Sequence, residues 1–440
     1  MTSPARPPSR RLVWVVGVAV AVLVTAALIA WRVRSSAQAV IHRHRQRLVG
    51  EREDVARRLV GRPALLEPAA PMDAAALATA FEAEVEAVPQ AERDRLTPES
   101  PAPVPPEGDE VLRAHPEPLL ALAPLRHAVA PSALPPPDMQ DGGPRIPRRM
   151  SSIRWLAAVG DRALARGDAE EALRIVGLQA VYARDAAARS SVLETLVGMG
   201  MASVADRGLR EALGRGPVPV EEGSRLARVL DGLAGADIPL AVVSDVERLL
   251  LRTELVAPDF KARWHTLLSD GSQDPGWRSL WSWSLFQAEA LDHLDDDMGL
   301  VRDALVGADD VPGVALPRVE AAVAAGSGHP ILRPQASTWP LLVRRRAAAL
   351  AYRRCARVAL AVALFTARTG ARPAALSDLL AEDLPAIPLD PWDGQPLRYA
   401  DGRVWSVGPD RVDDAGRPMA EDSYDGPGDV VVTLPAPAGR

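Results

Sequence analysis

The chain has 440 residues, of which 48% are hydrophobic and 25% are charged, and its formal net charge is -6. These values are ordinary for globular domains, and they exclude wholesale disorder, a collagen-like chain and a multi-span membrane protein. A single cysteine, Cys355, excludes an internal disulfide and a cysteine-based zinc site. The mildly acidic balance argues against nucleic acid as the main partner.

The first predicted element is an apolar segment, residues 12–31, which follows a short amino-terminal tail of residues 1–11. About twenty uncharged residues in a helix span roughly the 30 Å core of a bilayer. Trp14 and Trp31 lie near its ends, where such rings favour the headgroup level. We therefore predict a transmembrane helix that contacts membrane lipid. The alternative is a cleaved signal peptide, because the Ala-x-Ala sequence at 37–39 resembles a cleavage site.

The orientation of this segment is the next question. Arginine-rich stretches flank it on both sides, at residues 6–11 and 32–47. The positive-inside bias taken alone would leave the carboxyl-terminal part in the cytoplasm, whereas the family resemblance given below implies export. We expect a single-pass protein of a bacterial inner membrane, with its large carboxyl-terminal part on the extracytoplasmic side.

Residues 32–88 are predicted to form a juxtamembrane helical stalk. Val40, Ile41, Leu48 and Val55 lie there among arginines and glutamates, which gives the segment helical character. A basic helix beside a membrane can lie against anionic lipid. The simpler interpretation, which we favour, is a solvated stalk.

A proline-rich stretch, residues 89–150, follows the stalk. Fifteen prolines lie between Pro89 and Pro147. Because proline removes backbone donors and favours extended polyproline II geometry, we predict a semi-rigid linker. Docking of this stretch to an aromatic groove is the alternative.

Residues 151–335 show helical periodicity interrupted by glycine and proline. The sequence ARGDAEEAL at 165–173 resembles the turn of a tetratricopeptide-type helical pair, although no regular repeat follows it. We predict an irregular α-helical array that offers a surface to an unidentified protein partner.

Two groups of side chains in this array could form ligand-binding sites. Trp277 and Trp281 share a helix face and, with Trp283, could line a cage, but packing between helices is the favoured interpretation. His293 lies among several aspartates and suggests a metal. Because adjacent acids on a helix point in different directions, a solvated helix end is favoured there.

Residues 336–440 are predicted to form a small α+β module. A polar cap and Pro340 begin its long helix, and Gly370 ends it. Turn residues then delimit two short strands, Leu397–Tyr399 and Val404–Val407, which predict a β-hairpin.

A pattern of glycines, prolines and apolar residues runs through this module and includes an Asp-Pro-Trp turn and a Ser-x-Gly-x-Asp sequence. Its members, in chain order, are Gly370, Pro373, Leu376, Leu379, Pro388, Asp390-Pro391-Trp392, Gly394, Pro396, Tyr399 and Ser406-Val407-Gly408-Pro409-Asp410. Over residues 348–432 the chain resembles the carboxyl-terminal part of the major pseudopilin of type II secretion. The resemblance implies a long helix that leads into a small β-region, with an aspartate-bearing loop that binds calcium. Position 411 is arginine where that family commonly has glycine.

Six aspartates of this loop are the candidate metal ligands. They are Asp410, Asp413, Asp414, Asp422, Asp425 and Asp429. Calcium takes six to eight oxygen ligands in irregular geometry, so a glycine-bearing acidic loop can wrap it. The alternative is an acidic, solvated tail. Calcium is the one cofactor that the sequence suggests.

Motif searches find no phosphate-binding glycine loop, no His-Glu-x-x-His helix and no Gly-x-Ser-x-Gly turn, so we do not expect an enzyme. The predicted fold is mainly α, with an amino-terminal transmembrane helix, a linker, a helical array and the small α+β module. The whole chain is similar to uncharacterised bacterial envelope proteins with one anchor, a helical middle and this ending. We predict an interaction or structural protein of the envelope. The alternatives are a component of a type II secretion or pilus-like apparatus, and an enzyme whose site is assembled in space.

Overall fold

The computed structural model describes residues 10–60, 74–96, 106–122, 142–187, 191–234, 237–260, 282–380, 382–420 and 426–436. This part of the chain is mainly helical and has a small sheet near its carboxyl end. The helices, in chain order, are α1 (Arg10–Val60), α2 (Ala74–Ala87), α3 (Gln90–Asp94), α4 (Pro106–Ala114), α5 (Glu117–Leu122), α6 (Gly142–Ala165), α7 (Ala169–Ala187), α8 (Val192–Gly214), α9 (Val220–Ala234), α10 (Leu240–Leu255), α11 (Ser282–Leu305), α12 (Pro312–Ala325) and α13 (Leu332–Thr369). A 3₁₀ helix (Leu376–Leu379) precedes the strands β1 (Arg398–Ala400), β2 (Arg403–Ser406) and β3 (Val430–Thr433).

The predicted transmembrane helix at residues 12–31 is wrong. Within the described ranges, no helix is long and apolar enough to cross a bilayer. Residues 12–31 belong to α1, a helix of 51 residues that continues beyond Trp31 into arginine-rich turns. The prediction failed because the apolar count of a short window does not determine where a helix ends or what its later turns contact. The predicted single-pass inner-membrane location depended on that helix, so it is corrected with it, whereas contact with membrane lipid stays a prediction.

The second half of α1 packs against the array, whereas the sequence favoured a solvated stalk for residues 32–88. Ile41, Leu48 and Val55 are buried in one hydrophobic cluster with residues of α10 and α11. Each buried aliphatic side chain of this size contributes about 1.5–3 kcal/mol relative to an exposed one. Burial of this stripe therefore holds the helix on the array.

The proline-rich stretch also differs from an extended spacer in its described parts. Short helices α3, α4 and α5 form within it, and α6 begins at Gly142 and includes Pro147. Val111 and Leu112 of α4 are buried in a cluster with α2, α6, α7 and α8. The gain from burying these apolar side chains outweighs the extended preference of the neighbouring prolines.

The long helix α13 is the central element of the fold. Trp339 and Leu342 in its first half are buried among α10, α11 and α12. Leu360 in its second half is buried among α7, α8, α9 and the carboxyl-terminal module. One helix therefore joins the array to the module.

The predicted start of this helix, with a polar cap before Pro340, was too late. The helix begins at Leu332, and Pro340 lies inside it. The Ser337 hydroxyl donates to the Pro334 carbonyl at 2.7 Å, so this side chain bonds within the helix and does not cap it. The predicted end is confirmed, because Gly370 has φ 78°, which glycine adopts without a Cβ penalty.

The sheet is antiparallel in the order β1-β2-β3, and its first pair confirms the predicted hairpin. Val404 of β2 pairs with Val432 of β3. Both side chains are buried in the cluster that contains Leu360. The sheet therefore lies on the second half of α13.

Candidate functional site

The candidate site is a groove between α10 and α11, and the second half of α1 occupies it. Gln287 of α11 contacts the carbonyl of Leu255 at the end of α10, and Arg302 contacts Asp245 near its start at 3.2 Å. The two helices are therefore antiparallel. Such neighbours leave a long apolar channel between them that suits a third helix.

The buried positions of α1 follow a heptad. Intervals of four and three residues alternate along the stripe, as at the two core positions of a coiled coil. Its members are Ala37, Ile41, His44, Leu48, Glu51 and Val55; Glu51 is half-buried and the others are buried. Ile41, Leu48 and Val55 are therefore seven residues apart and fill one core position, whereas the other holds Ala37, His44 and Glu51.

A buried guanidinium lies in the groove near the carboxyl end of α10. Arg252 of α10 is 0% exposed and forms ion pairs with Glu51 of α1 and Asp295 of α11. Burying a charge is costly unless it is paired, so both carboxylates are needed to hold this side chain in the interface. Arg252 therefore links the three helices at one level.

His44 lies two turns before Glu51 on the same buried stripe. Its side chain is 5% exposed, and its Nδ1 atom has no hydrogen-bond partner. Burial lowers the pKa of His44, and the charge of Arg252 lowers it further. The imidazole is therefore neutral when α1 is docked near pH 7.

Contacts at the rim of the groove fix the direction of α1. Arg45 donates from Nε and Nη2 to the carbonyl of Val256, at 2.9 and 2.8 Å, just beyond the end of α10. Arg47 pairs with Asp295 at 3.4 Å. Because Arg45 reaches the end of α10 and Glu51 reaches Arg252 one turn earlier, α1 and α10 are antiparallel.

The carboxyl-terminal acidic loop was the site that the sequence predicted. Asp422 and Asp425 lie outside the described residues. Asp410 accepts from the backbone N–H of Val412 at 3.1 Å and of Gly428 at 3.1 Å. Asp414 pairs with Arg417 at 3.0 Å. These two carboxylates shape the loop backbone and its surface.

Asp413 and Asp429 have other partners. Asp413 accepts from the Trp405 indole at 3.0 Å, and this hydrogen bond lowers its pKa. Asp429 is 1% exposed and accepts from the backbone N–H of Gly416 at 2.7 Å. In the ranges that the structure describes, no three such side chains form a group that could hold a metal ion. Calcium binding by this loop therefore stays a prediction.

Asp390 is a buried carboxylate that the site prediction omitted. It is 0% exposed, and it accepts from the Ser406 hydroxyl at 2.7 Å and from the Val407 N–H at 2.8 Å. Arg398 donates to it at 2.6 Å. Burial raises the pKa of Asp390, although these hydrogen bonds oppose the shift. Asp390 therefore joins the two halves of the motif that carries the pseudopilin resemblance.

The other candidates of the sequence lie apart from the groove or outside the described residues. Trp277 and Trp281 are not described, and Trp283 is described only as part of α11. His293 lies near His329, with ring centroids 6.4 Å apart. Asp297, expected at a solvated helix end, accepts from the backbone N–H and hydroxyl of Ser327 at 2.8 and 2.6 Å. These contacts join α11 to the turn before α13.

Sequence reasoning missed the groove itself. Its signal was present in the heptad spacing of Ile41, Leu48 and Val55, but polar residues at the second core position obscured the pattern. No family model, curated protein or solved structure matches this chain.

Proposed function

We propose that this protein is an interaction protein that binds an amphipathic helix of a partner in the groove between α10 and α11. The observation that carries the proposal is the docking of α1 residues 37–55 in that groove through a heptad stripe. A channel that accommodates one such helix has the width and apolar lining that another needs.

The helix that fills the groove is an imperfect ligand. His44 buries an Nδ1 atom without a hydrogen-bond partner, and such an atom costs about 1–3 kcal/mol. A partner helix with an aliphatic residue at this position avoids that cost. We therefore expect such a partner helix, when it is abundant, to compete with α1 for the groove.

Binding in trans tests the proposal. The full chain carrying Ile41→Glu and Leu48→Glu should release α1, because both substitutions place a charge on the buried stripe. A fluorescein-labelled peptide with the sequence of residues 37–55 is titrated with this chain, and fluorescence anisotropy reports binding. We expect saturable binding that is about tenfold or more tighter than to the unsubstituted chain, whose own helix competes.

The matched control carries glutamate at two exposed positions of the same helix, Arg43→Glu and Gln46→Glu. It should bind the peptide no better than the unsubstituted chain. Circular dichroism verifies that each variant is folded, and the milder Leu48→Ala chain replaces the double variant if that one unfolds. A folded, opened chain that does not bind the peptide contradicts the proposal.

A second candidate is a component of a type II secretion or pilus-like assembly. It is supported by α13 leading into a three-stranded sheet and by Asp390, which hydrogen-bonds both motif halves. Arg411, at the position where the family commonly has glycine, has φ 59° in the left-handed region that glycine favours.

Calcium binding distinguishes the secretion or pilus-like candidate from the helix-binding proposal. If the loop binds calcium as the family resemblance implies, the melting temperature of the full chain should rise at millimolar calcium and return after chelation. Magnesium at the same concentration is the control, because it keeps its water shell more firmly. An unchanged melting temperature would count against this candidate and leaves the helix-binding proposal untouched.

A further inference from the structure

The groove carries charge as well as apolar surface, and its charges define a class of ligand. We propose that the groove selects amphipathic helices that carry a carboxylate at the heptad position of Glu51, because that carboxylate pairs with Arg252. The inference rests on the proposed function and names the chemistry of the partner: an apolar heptad stripe, a basic residue, and an acidic residue six positions later.

The charges around Arg252 are balanced only when the ligand supplies a carboxylate. Among the described contacts of the array, Asp295 pairs with Arg252 and also lies 3.9 Å from Arg248. Arg47 of α1 shares the same carboxylate. Without the carboxylate of Glu51, a guanidinium that is 0% exposed would share one aspartate with other arginines. A ligand that brings a carboxylate to this point therefore gains much more than one that does not.

The groove is also electrostatically polar along its axis. The last carbonyls of α10 lie at the negative end of its dipole, and Arg45 donates to Val256 there. Arg252 presents positive charge one turn earlier on the same helix. A ligand helix must therefore carry its cation and its anion in this order, and a helix in the reverse direction would bring a cation to Arg252.

A series of peptides with the sequence of residues 37–55 tests this inference on the opened full chain, Ile41→Glu/Leu48→Glu. One peptide exchanges the two charges, Arg45→Glu/Glu51→Arg, and keeps the composition and net charge of the parent. A second carries Glu51→Gln. The matched control carries Glu53→Gln, which removes the same charge at an exposed position two residues away.

We expect both the exchanged peptide and the Glu51→Gln peptide to bind about tenfold or more weakly than the parent, because each leaves Arg252 short of a carboxylate. The Glu53→Gln peptide should stay within about twofold of the parent, as expected for an exposed charge. In an opened chain that also carries Arg252→Gln, the parent and the Glu51→Gln peptide should bind equally, as a double-mutant cycle requires.

The outcomes separate the two proposals. Equal affinity for all the peptides overturns selection by Arg252 and leaves helix binding intact. No binding of any peptide to a folded, opened chain overturns the proposed function itself. The peptide series decides the inference even if the Arg252→Gln chain fails to fold, because the series needs no change in the groove.

Discussion

At the scale of single residues, this protein buries charged and titratable groups where its elements meet. Arg252 and Asp390 are both 0% exposed, and His44 is 5% exposed. Arg252 and Asp390 are held by partners of opposite charge, whereas His44 lacks a partner for Nδ1, and the charge of Arg252 helps to lower its pKa. His44 therefore makes the docking of α1 sensitive to pH.

Protonation of His44 should release α1. Because the pKa of His44 is lowered from 6.5 in the folded chain, the unfolded or undocked helix binds more protons below that pH. Docking is therefore most stable above about pH 6.5 and weakens as the pH falls toward the folded pKa. Hydrogen exchange of residues 37–55, corrected for intrinsic rates, should show less protection at pH 5.5 than at pH 7.5.

Two substitutions check the assignment of this effect. His44→Leu should remove the pH dependence and increase protection, because it replaces an unpartnered polar atom with an apolar side chain. His42→Leu changes an exposed histidine two residues away and should leave the pH dependence as it is. A pH dependence that persists in His44→Leu contradicts the assignment.

At the scale of elements, hydrogen bonds of one carboxylate hold the turn before β1 against the end of β2. Asp390 accepts from the N–H of Trp392 at 3.0 Å within the turn and from Ser406 and Val407 at the strand. The neighbouring Asp393 pairs with the same Arg398 but remains partly exposed. The two aspartates therefore share a partner and differ in burial.

Asp390→Asn should destabilise the chain strongly. The amide retains one acceptor, but its NH₂ group faces donors, and Arg398 loses a buried countercharge. We expect a loss of about 2–4 kcal/mol in the free energy of unfolding, measured with urea. Asp393→Asn, which weakens a more exposed pair with Arg398, should cost about 1 kcal/mol or less. Equal effects of the two substitutions would contradict the role given to Asp390.

At the scale of the whole molecule, a buried charge cluster joins α8 to the central helix α13. Asp206 of α8 is buried, and its Oδ2 atom has no hydrogen-bond partner. Burial raises the pKa of Asp206 to about 6, although Arg353 of α13 partly opposes the shift. Nearby Asp237 has a lowered pKa, because Arg346 and Arg353 outweigh its burial. Arg353 therefore interacts with two carboxylates: Asp206, whose burial is only partly compensated, and Asp237, whose burial is outweighed by two arginines.

Asp206 should make global stability fall as the pH rises. The carboxyl group of Asp206 stays protonated up to about pH 6 in the folded state but only up to about pH 3.8 in the unfolded chain. Between these two pH values the folded state therefore binds more protons than the unfolded chain. From pH 4 to pH 7 this group alone should lower the free energy of unfolding by about 2 kcal/mol.

Urea unfolding at several pH values measures this effect as a difference between chains. Asp206→Asn should remove this decline. The free energy of unfolding at pH 7, relative to that at pH 4, should therefore be higher in the Asp206→Asn chain than in the unsubstituted chain. Asp237→Asn should do the opposite and lower stability at pH 7, because it removes an ionised partner of two arginines. Parallel pH profiles for the unsubstituted and Asp206→Asn chains would contradict the prediction.

Local signals in the sequence account for several elements of the fold. Turn residues predicted the hairpin of β1 and β2, and Gly370 predicted the end of α13. The helical character of residues 151–335 came from apolar periodicity. These features depend on neighbours within a few residues, so a single sequence contains enough information to predict them.

The candidate site required information that the sequence does not display. Arg45 contacts a carbonyl 211 positions away, and Arg252 contacts an aspartate 43 positions away. The sequence contained nothing that distinguished Arg252 from the other arginines of the array. The predicted transmembrane segment failed for a related reason, because a local window could not show that its helix continues and packs on distant turns.

By itself, the sequence determined a mainly helical chain, the β1–β2 hairpin and the end of α13, because backbone preference and turn chemistry act over a few residues. The tertiary structure alone decided that α1 lies between α10 and α11 and that Arg252 and Asp390 are buried with their partners. The physical reason is that burial and ion pairing depend on which surfaces meet in space. Those surfaces come from segments far apart in the chain.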